Sequence, residues 1–220
     1  MSGIVPRDRN AMAARVATDI PEGWFVNLGI GIPTLAADYV PLEREVIFHA
    51  ENGVIGVGPA PQRGQENPYL INASTQHVTL RPGGSYVDHT VSFAIARGGH
   101  LDLCVLGAFE VAENGDLANW ARAADEPVKQ VGGAMDLAIG ARRLWVVMEH
   151  TTKSGEPRLR RRCTYPLTAR GVVRRIYTNL AVIDVAAQGF VVREIIPGLD
   201  FKSLQAMTEA ELLTGTDVAE

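Results

Sequence analysis

Short runs of apolar residues alternate along this chain with amphipathic stretches, and the two kinds of pattern predict different elements. Residues 8–19 place apolar side chains at helical spacing, and "PEG" at 21–23 stops that helix. "WFVNLGI" (24–30) then reads as a short apolar strand. "GIPTLAADYV" follows as a helix, with Pro33 in the first turn, where a missing N–H costs nothing. "REVIFHA" (44–50) is a second strand, and residues 56–75, rich in proline and glycine, read as an ordered loop. "YVDHTVSFAIARGG" (86–99) predicts a helix closed by a glycine pair, and "HLDLCVLGAFEV" (100–111) one long strand. "GGAMDLAIGA" (132–141) predicts a helix and "RLWVVMEH" (143–150) a buried strand. The strands of 172–185 and 189–196, spaced for a hairpin, precede a short helix, "FKSLQAMT". Alternation of this kind predicts an α/β fold, a mostly parallel sheet flanked by helices with an antiparallel edge. With 220 residues, the chain fits a single domain over 1–220.

Composition narrows the function classes. A net charge of −4 offers nucleic acid or an anionic membrane no long-range attraction. No run reaches the ~18–20 apolar residues of a membrane span, and the first ten residues lack a secretory apolar core, so a cytoplasmic protein is expected. Cys104 lies in an apolar run, where a buried and inert thiol is expected. The five histidines share no metal-ligand spacing, and no GxSxG elbow is present. Gly29-x-Gly31 suggests a dinucleotide turn, but Thr34 stands where the third glycine belongs. The basic run 158–163, "RLRRRC", reads as a solvated loop, or else as a contact for phosphates on a large anionic cofactor or for an acidic partner.

The tripeptide Glu-Asn-Gly occurs twice, at 51–53 and at 113–115. Asn-Gly makes a tight turn, and the second copy has the surroundings of a simple hairpin. Glu51 differs, because it ends an apolar strand and precedes "GVIGVG", where small residues let main chain approach a ligand. Carboxyl ends of strands gather the sites of open α/β sheets. A carboxylate there is partly desolvated, which raises its pKa and sharpens it as a nucleophile.

Six blocks of sequence carry a family resemblance: "VNLGIGIPTLAADYV", "ENGVIGVGP", "GGHLDLCVLGAFEV…GDLANW", "VGGAMDLAIGA", "VVMEHTTKSGEPRL" and "CTYPLT". In this order, over about residues 8–205, they resemble the β subunit of the 3-oxoacid coenzyme A-transferases. Four stretches look most like the 3-oxoadipate enzymes of aromatic catabolism. The resemblance implies the CoA-transferase (NagB-like) fold, with Glu51 as nucleophile and a glutamyl-CoA thioester as intermediate. It implies that Asn27, Gly29 and Gly31 face the bound acyl group, with donors for the oxyanion around Asn52 and Gly53. Gly132 and Gly133 would line the CoA site, and Gly107 and Ala108 would border the pocket. It further implies an α-subunit partner, usually as α2β2, with coenzyme A as co-substrate and neither a permanently bound cofactor nor a metal. His49 and Ala50 stand where many such sequences have a serine before the glutamate. Two other readings remain: an acyl-CoA hydrolase of the same fold, and a non-catalytic ligand-binding protein.

Overall fold

Parallel strands that run next to one another bring their carboxyl ends to one edge, and this governs the whole architecture. In the computed structural model, residues 3–122 and 131–215 are described. Helix α1 (Arg9–Asp19) begins at Asp8, whose side chain accepts from the Ala11 N–H. It leads into β1 (Phe25–Leu28), a one-turn helix α2 (Ile32–Leu35) and β2 (Ile47–Ala50). Strands β3 (Val54–Val57) and β4 (Leu80–Tyr86) follow, then helix α3 (His89–Arg97), β5 (Leu103–Leu106), β6 (Glu110–Ala112) and β7 (Leu117–Ala118). Beyond them come α4 (Ala134–Gly140), β8 (Leu144–Met148), β9 (Leu159–Arg160), β10 (Val173–Thr178), β11 (Ala181–Ala186), β12 (Gly189–Ile195), α5 (Phe201–Ala206) and β13 (Leu212–Leu213).

Ten strands form one sheet in the order β13-β12-β11-β10-β8-β5-β1-β2-β3-β4. Its centre, from β10 to β2, is parallel throughout. Side-chain alternation splits the core between the two faces. Leu103 and Val105 of β5 pack with α1 residues Met12, Val16 and Ala17. Cys104 and Leu106 pack with Leu137 and Ala138 of α4 on the other face. Helices therefore cover both sides, as a parallel sheet requires.

Antiparallel strands flank the parallel centre on both sides, not on one as the pattern predicted. The β11–β12 hairpin was expected, but the single strand expected over 172–185 is two, β10 and β11, paired antiparallel across a turn at Asn179 and Leu180. The antiparallel run β2–β3–β4 was not: β2 was expected as a strand, but β3 carries Gly56 and β4 carries Pro82, Gly83 and Gly84, and neither was expected as one. Proline is tolerated in β4 because that strand is the sheet's edge. The predicted long strand over 100–111 is two strands. At Gly107 the chain leaves the large sheet, and β6 joins a three-stranded sheet with β7 and β9. The second Glu-Asn-Gly is the turn between β6 and β7, with the Gly115 N–H donating to the Ala112 carbonyl.

Candidate active site

Strand order reverses at β1, which has β2 on one side and β5 on the other. In open α/β sheets such a switch point leaves a crevice beyond the carboxyl ends of the strands. A cavity of about 680 Å³ lies there. It is lined by Gly29 and Ile30 after β1, Glu51 after β2, Gly107 and Ala108 after β5, and Glu149 after β8. Gly132, Gly133 and Leu137 close one wall, and Phe109, Asn119, Trp120 and Arg158 another. Four adjacent strands thus deliver residues distant in sequence to one place.

Glu51 is the second residue of a turn whose Gly53 N–H donates to the Ala50 carbonyl at 2.9 Å. Gly53 has φ +106°, and a Cβ there would meet the Val87 carbonyl oxygen at 2.2 Å, so only glycine fits. The carboxylate is half-buried, and burial raises its pKa above the ordinary glutamate range while the nearby His89 pulls it back. A Cβ on Gly133 would lie 2.9 Å from the Glu51 Oε2 and 2.5 Å from the Phe93 ring. The missing side chain at 133 is what admits the carboxylate. Burial, reinforced by the charge of Glu51, pushes the Cys104 thiol far up, which leaves it inert.

Several residues sit otherwise than the resemblance implied. Asn27 is 1% exposed and does not line the cavity. Its amide donates to His49 Nδ1 and to the His49 carbonyl, and Cys104 Sγ contacts its Oδ1. In β1, Val26 and Leu28 face α1, so Asn27 must face the interior beneath Glu51. Gly31 is absent from the lining as well; it has φ +98°, and its carbonyl accepts from Thr34 Oγ1. The Asn52 side chain donates to the Ile71 carbonyl at 2.8 Å, and the Gly53 N–H is already engaged. Gly29 does line the cavity, and its N–H donates to the Val105 carbonyl.

Sequence reasoning passed over Glu149, Phe109, Asn119 and Trp120. Asn119 and Trp120 close the "GDLANW" block, which was the available signal. The basic run divides. Arg160 is structural, paired with the buried Glu110 and with Glu209. Glu110 also accepts from the Thr164 and Tyr165 N–H groups, which fixes the run against the small sheet. Arg158 is the only cation among the described residues lining the cavity. It also lines a second hollow of about 530 Å³, with Phe109, Arg122, Lys153 and Tyr165. Arg122 stacks over the Phe109 ring at 4.9 Å. Crowding by burial and by Arg122 lowers the Arg158 pKa. Among the described residues, no helix is long and apolar enough to cross a membrane.

Residues 9–206 match the coenzyme A transferase family. The chain belongs to that family. It is 51% identical over 208 residues to a subunit of the 3-oxoadipate CoA-transferase of Acinetobacter baylyi, covering 94% of this chain and 96% of that protein. It is 42% identical over 203 residues to a subunit of the succinyl-CoA:3-ketoacid coenzyme A transferase of Helicobacter pylori, covering 92% and 97%. Among solved structures, an acyl-CoA transferase apoenzyme of Escherichia coli superposes with a TM-score of 0.76 at 20% identity. That match covers 99% of this chain but 44% of the other, so this CoA-transferase chain spans under half of that longer one. The superposition bears on the fold alone.

Proposed function

We propose that this chain is the β subunit of a transferase that moves coenzyme A from succinyl-CoA to 3-oxoadipate through a thioester on Glu51. The single observation that carries the reading is the half-buried Glu51 carboxylate, with its raised pKa, against the side-chain-free Gly133 in a cavity at the switch point. The acceptor follows from the name of the Acinetobacter relative and the donor from that of the Helicobacter relative.

The Glu51 carboxylate attacks the thioester carbonyl of the donor, forming an acyl-glutamyl anhydride and releasing CoA thiolate. The thiolate attacks the glutamyl carbonyl of that anhydride. The donor acid leaves, and Glu51 carries CoA as a thioester. An acceptor carboxylate attacks this thioester, giving a second anhydride and thiolate. Attack of the thiolate on the acceptor's acyl carbonyl yields the new CoA ester and restores Glu51. Bonds broken and formed balance within these steps, so thioester energy is conserved. A carboxylic acid suits the role because its anhydrides and thioesters interchange with those of the substrates.

Each step develops an oxyanion that needs preorganised donors. The Asn52 N–H makes no hydrogen bond among the described residues and follows the nucleophile directly. Arg158, Arg122 and Lys153 line the hollow that continues from the cavity past Phe109. Their cations suit the phosphates of coenzyme A. Ile30 of the cavity lining is exposed, and so are Met135 and Ile139 of α4, the helix that supplies Ala134 and Leu137 to one wall. A patch of that kind fits coverage by an α subunit, which completes the pocket. The test is a transfer assay on the chain co-purified with its α partner. Glu51→Ala should abolish turnover while succinyl-CoA still binds; retention of the full rate would refute the mechanism. Steady release of free CoA without transfer would instead mark a hydrolase.

A further inference from the structure

Beneath Glu51 lies a chain of buried polar groups contributed by three elements: Asn27 of β1, His49 of β2 and Ser92 of α3, exposed 1%, 2% and 0%. The Asn27 amide nitrogen is 3.0 Å from His49 Nδ1, and His49 Nε2 is 2.9 Å from Ser92 Oγ. Ser92 Oγ is 2.8 Å from the Glu51 carbonyl oxygen. We propose that Asn27, His49 and Ser92 are positioning residues that lock the Glu51–Asn52 peptide in the orientation catalysis requires.

Proton bookkeeping allows one assignment. A carbonyl oxygen only accepts, so the Asn27 atom facing the His49 carbonyl at 3.1 Å must be its NH2 group. The same NH2 faces His49 Nδ1, which must therefore accept and carry no proton. A neutral imidazole then bears its proton on Nε2 and donates it to Ser92 Oγ. Ser92 has a single proton, and it goes to the Glu51 carbonyl. Reversing any link would set two donors or two acceptors against each other in a buried site. Burial favours the neutral ring, since it lowers the His49 pKa to about 4.

A peptide unit is planar, so a held carbonyl also fixes the N–H on the opposite side. The unit between Glu51 and Asn52 has no other hydrogen bond among the described residues, because the turn's own bond joins Gly53 to Ala50. Ser92 alone therefore sets the direction of the Asn52 N–H and the start of the nucleophile's side chain. Through His49, that setting is tied to the two strands at the switch point.

The proposal rests on Glu51 being the nucleophile, and its test separates the two ideas. The complex would be prepared with His49→Gln, His49→Leu and Ser92→Ala. Glutamine can accept from Asn27 and donate to Ser92, whereas leucine fills the space without polar atoms. Groups that orient metal ligands from behind carry effects of about 10–100-fold, and a similar range is expected for groups that orient a nucleophile. His49→Leu and Ser92→Ala should lower kcat in that range with KM for succinyl-CoA nearly unchanged, and His49→Gln should recover most of kcat. Equal activity in the leucine and glutamine variants, or a loss confined to KM, would overturn the proposal. Histidine-15N spectra of the wild-type complex give a readout independent of turnover. A neutral Nε2–H ring at His49 at neutral pH supports the chain of bonds, and an Nδ1–H or charged ring overturns it. If the wild type forms no CoA adduct, the nucleophile reading fails, while the tautomer still decides the hydrogen bonds.

Discussion

In the proposed mechanism the attacking carboxylate must be ionised, and the burial that desolvates Glu51 works against that. Burial lifts its pKa, so the folded state prefers the protonated form. For a group whose folded pKa is raised, stability is fully present below the unfolded pKa and is lost as pH rises through the folded one. Glu51→Gln should therefore raise the melting temperature at neutral pH and change it little in acid. Turnover needs the ionised form, so kcat/KM should fall as pH drops through the raised pKa. His89 opposes the shift, and His89→Leu should move that acid limb to higher pH. A limb that stays in place would show that another group controls it. Gly133→Ala sets a methyl within 2.9 Å of the Glu51 Oε2 and 2.5 Å of Phe93. Displacements of about 1 Å at a reacting centre cost ~100-fold in rate, and a loss of that order in kcat, with the fold intact by circular dichroism, is expected.

At the scale of elements, helix α3 carries Ser92 and is started by Asp88, whose side chain accepts from the Thr90 N–H at 2.8 Å. Asp88→Ala should lower stability in denaturant titration, because the Thr90 N–H loses its cap. It should reduce kcat only as far as Ser92 loosens from Glu51. The strands that build the site were legible because β1, β2, β5 and β8 are short apolar runs, each ended by glycine or a polar residue. Glu51 was legible for the same reason. Other features were hidden by identifiable physics. Strand β3 carries Gly56, and the edge strand β4 carries proline and two glycines, so neither showed a strand pattern. The apolar run through 103–109 continues past Gly107, where the backbone passes from one sheet to another. Asn27 lies on the site strand, but alternation turns it inward; Gly29, two residues on, reaches the cavity at the strand's end. Glu149 and Arg158 share a cavity with Glu51 only through topology, and no local pattern could announce that.

At the scale of the whole molecule, the proposed function makes the chain one subunit of a two-subunit enzyme. Ile30 of the cavity lining is exposed, as are Met135 and Ile139 of α4, and the chain alone should show almost no transfer until an α partner is added. Binding of coenzyme A in the complex should weaken as salt rises, because Arg158, Arg122 and Lys153 offer charge near the surface. The central claim is the covalent role of Glu51. Intact-mass analysis of this chain, in complex with its partner and incubated with succinyl-CoA without an acceptor, tests it most directly. The expected result is a gain equal to coenzyme A less water, absent in Glu51→Ala and discharged by added 3-oxoadipate. An unmodified chain in an enzyme that still transfers CoA, or the same adduct on Glu51→Ala, would contradict it.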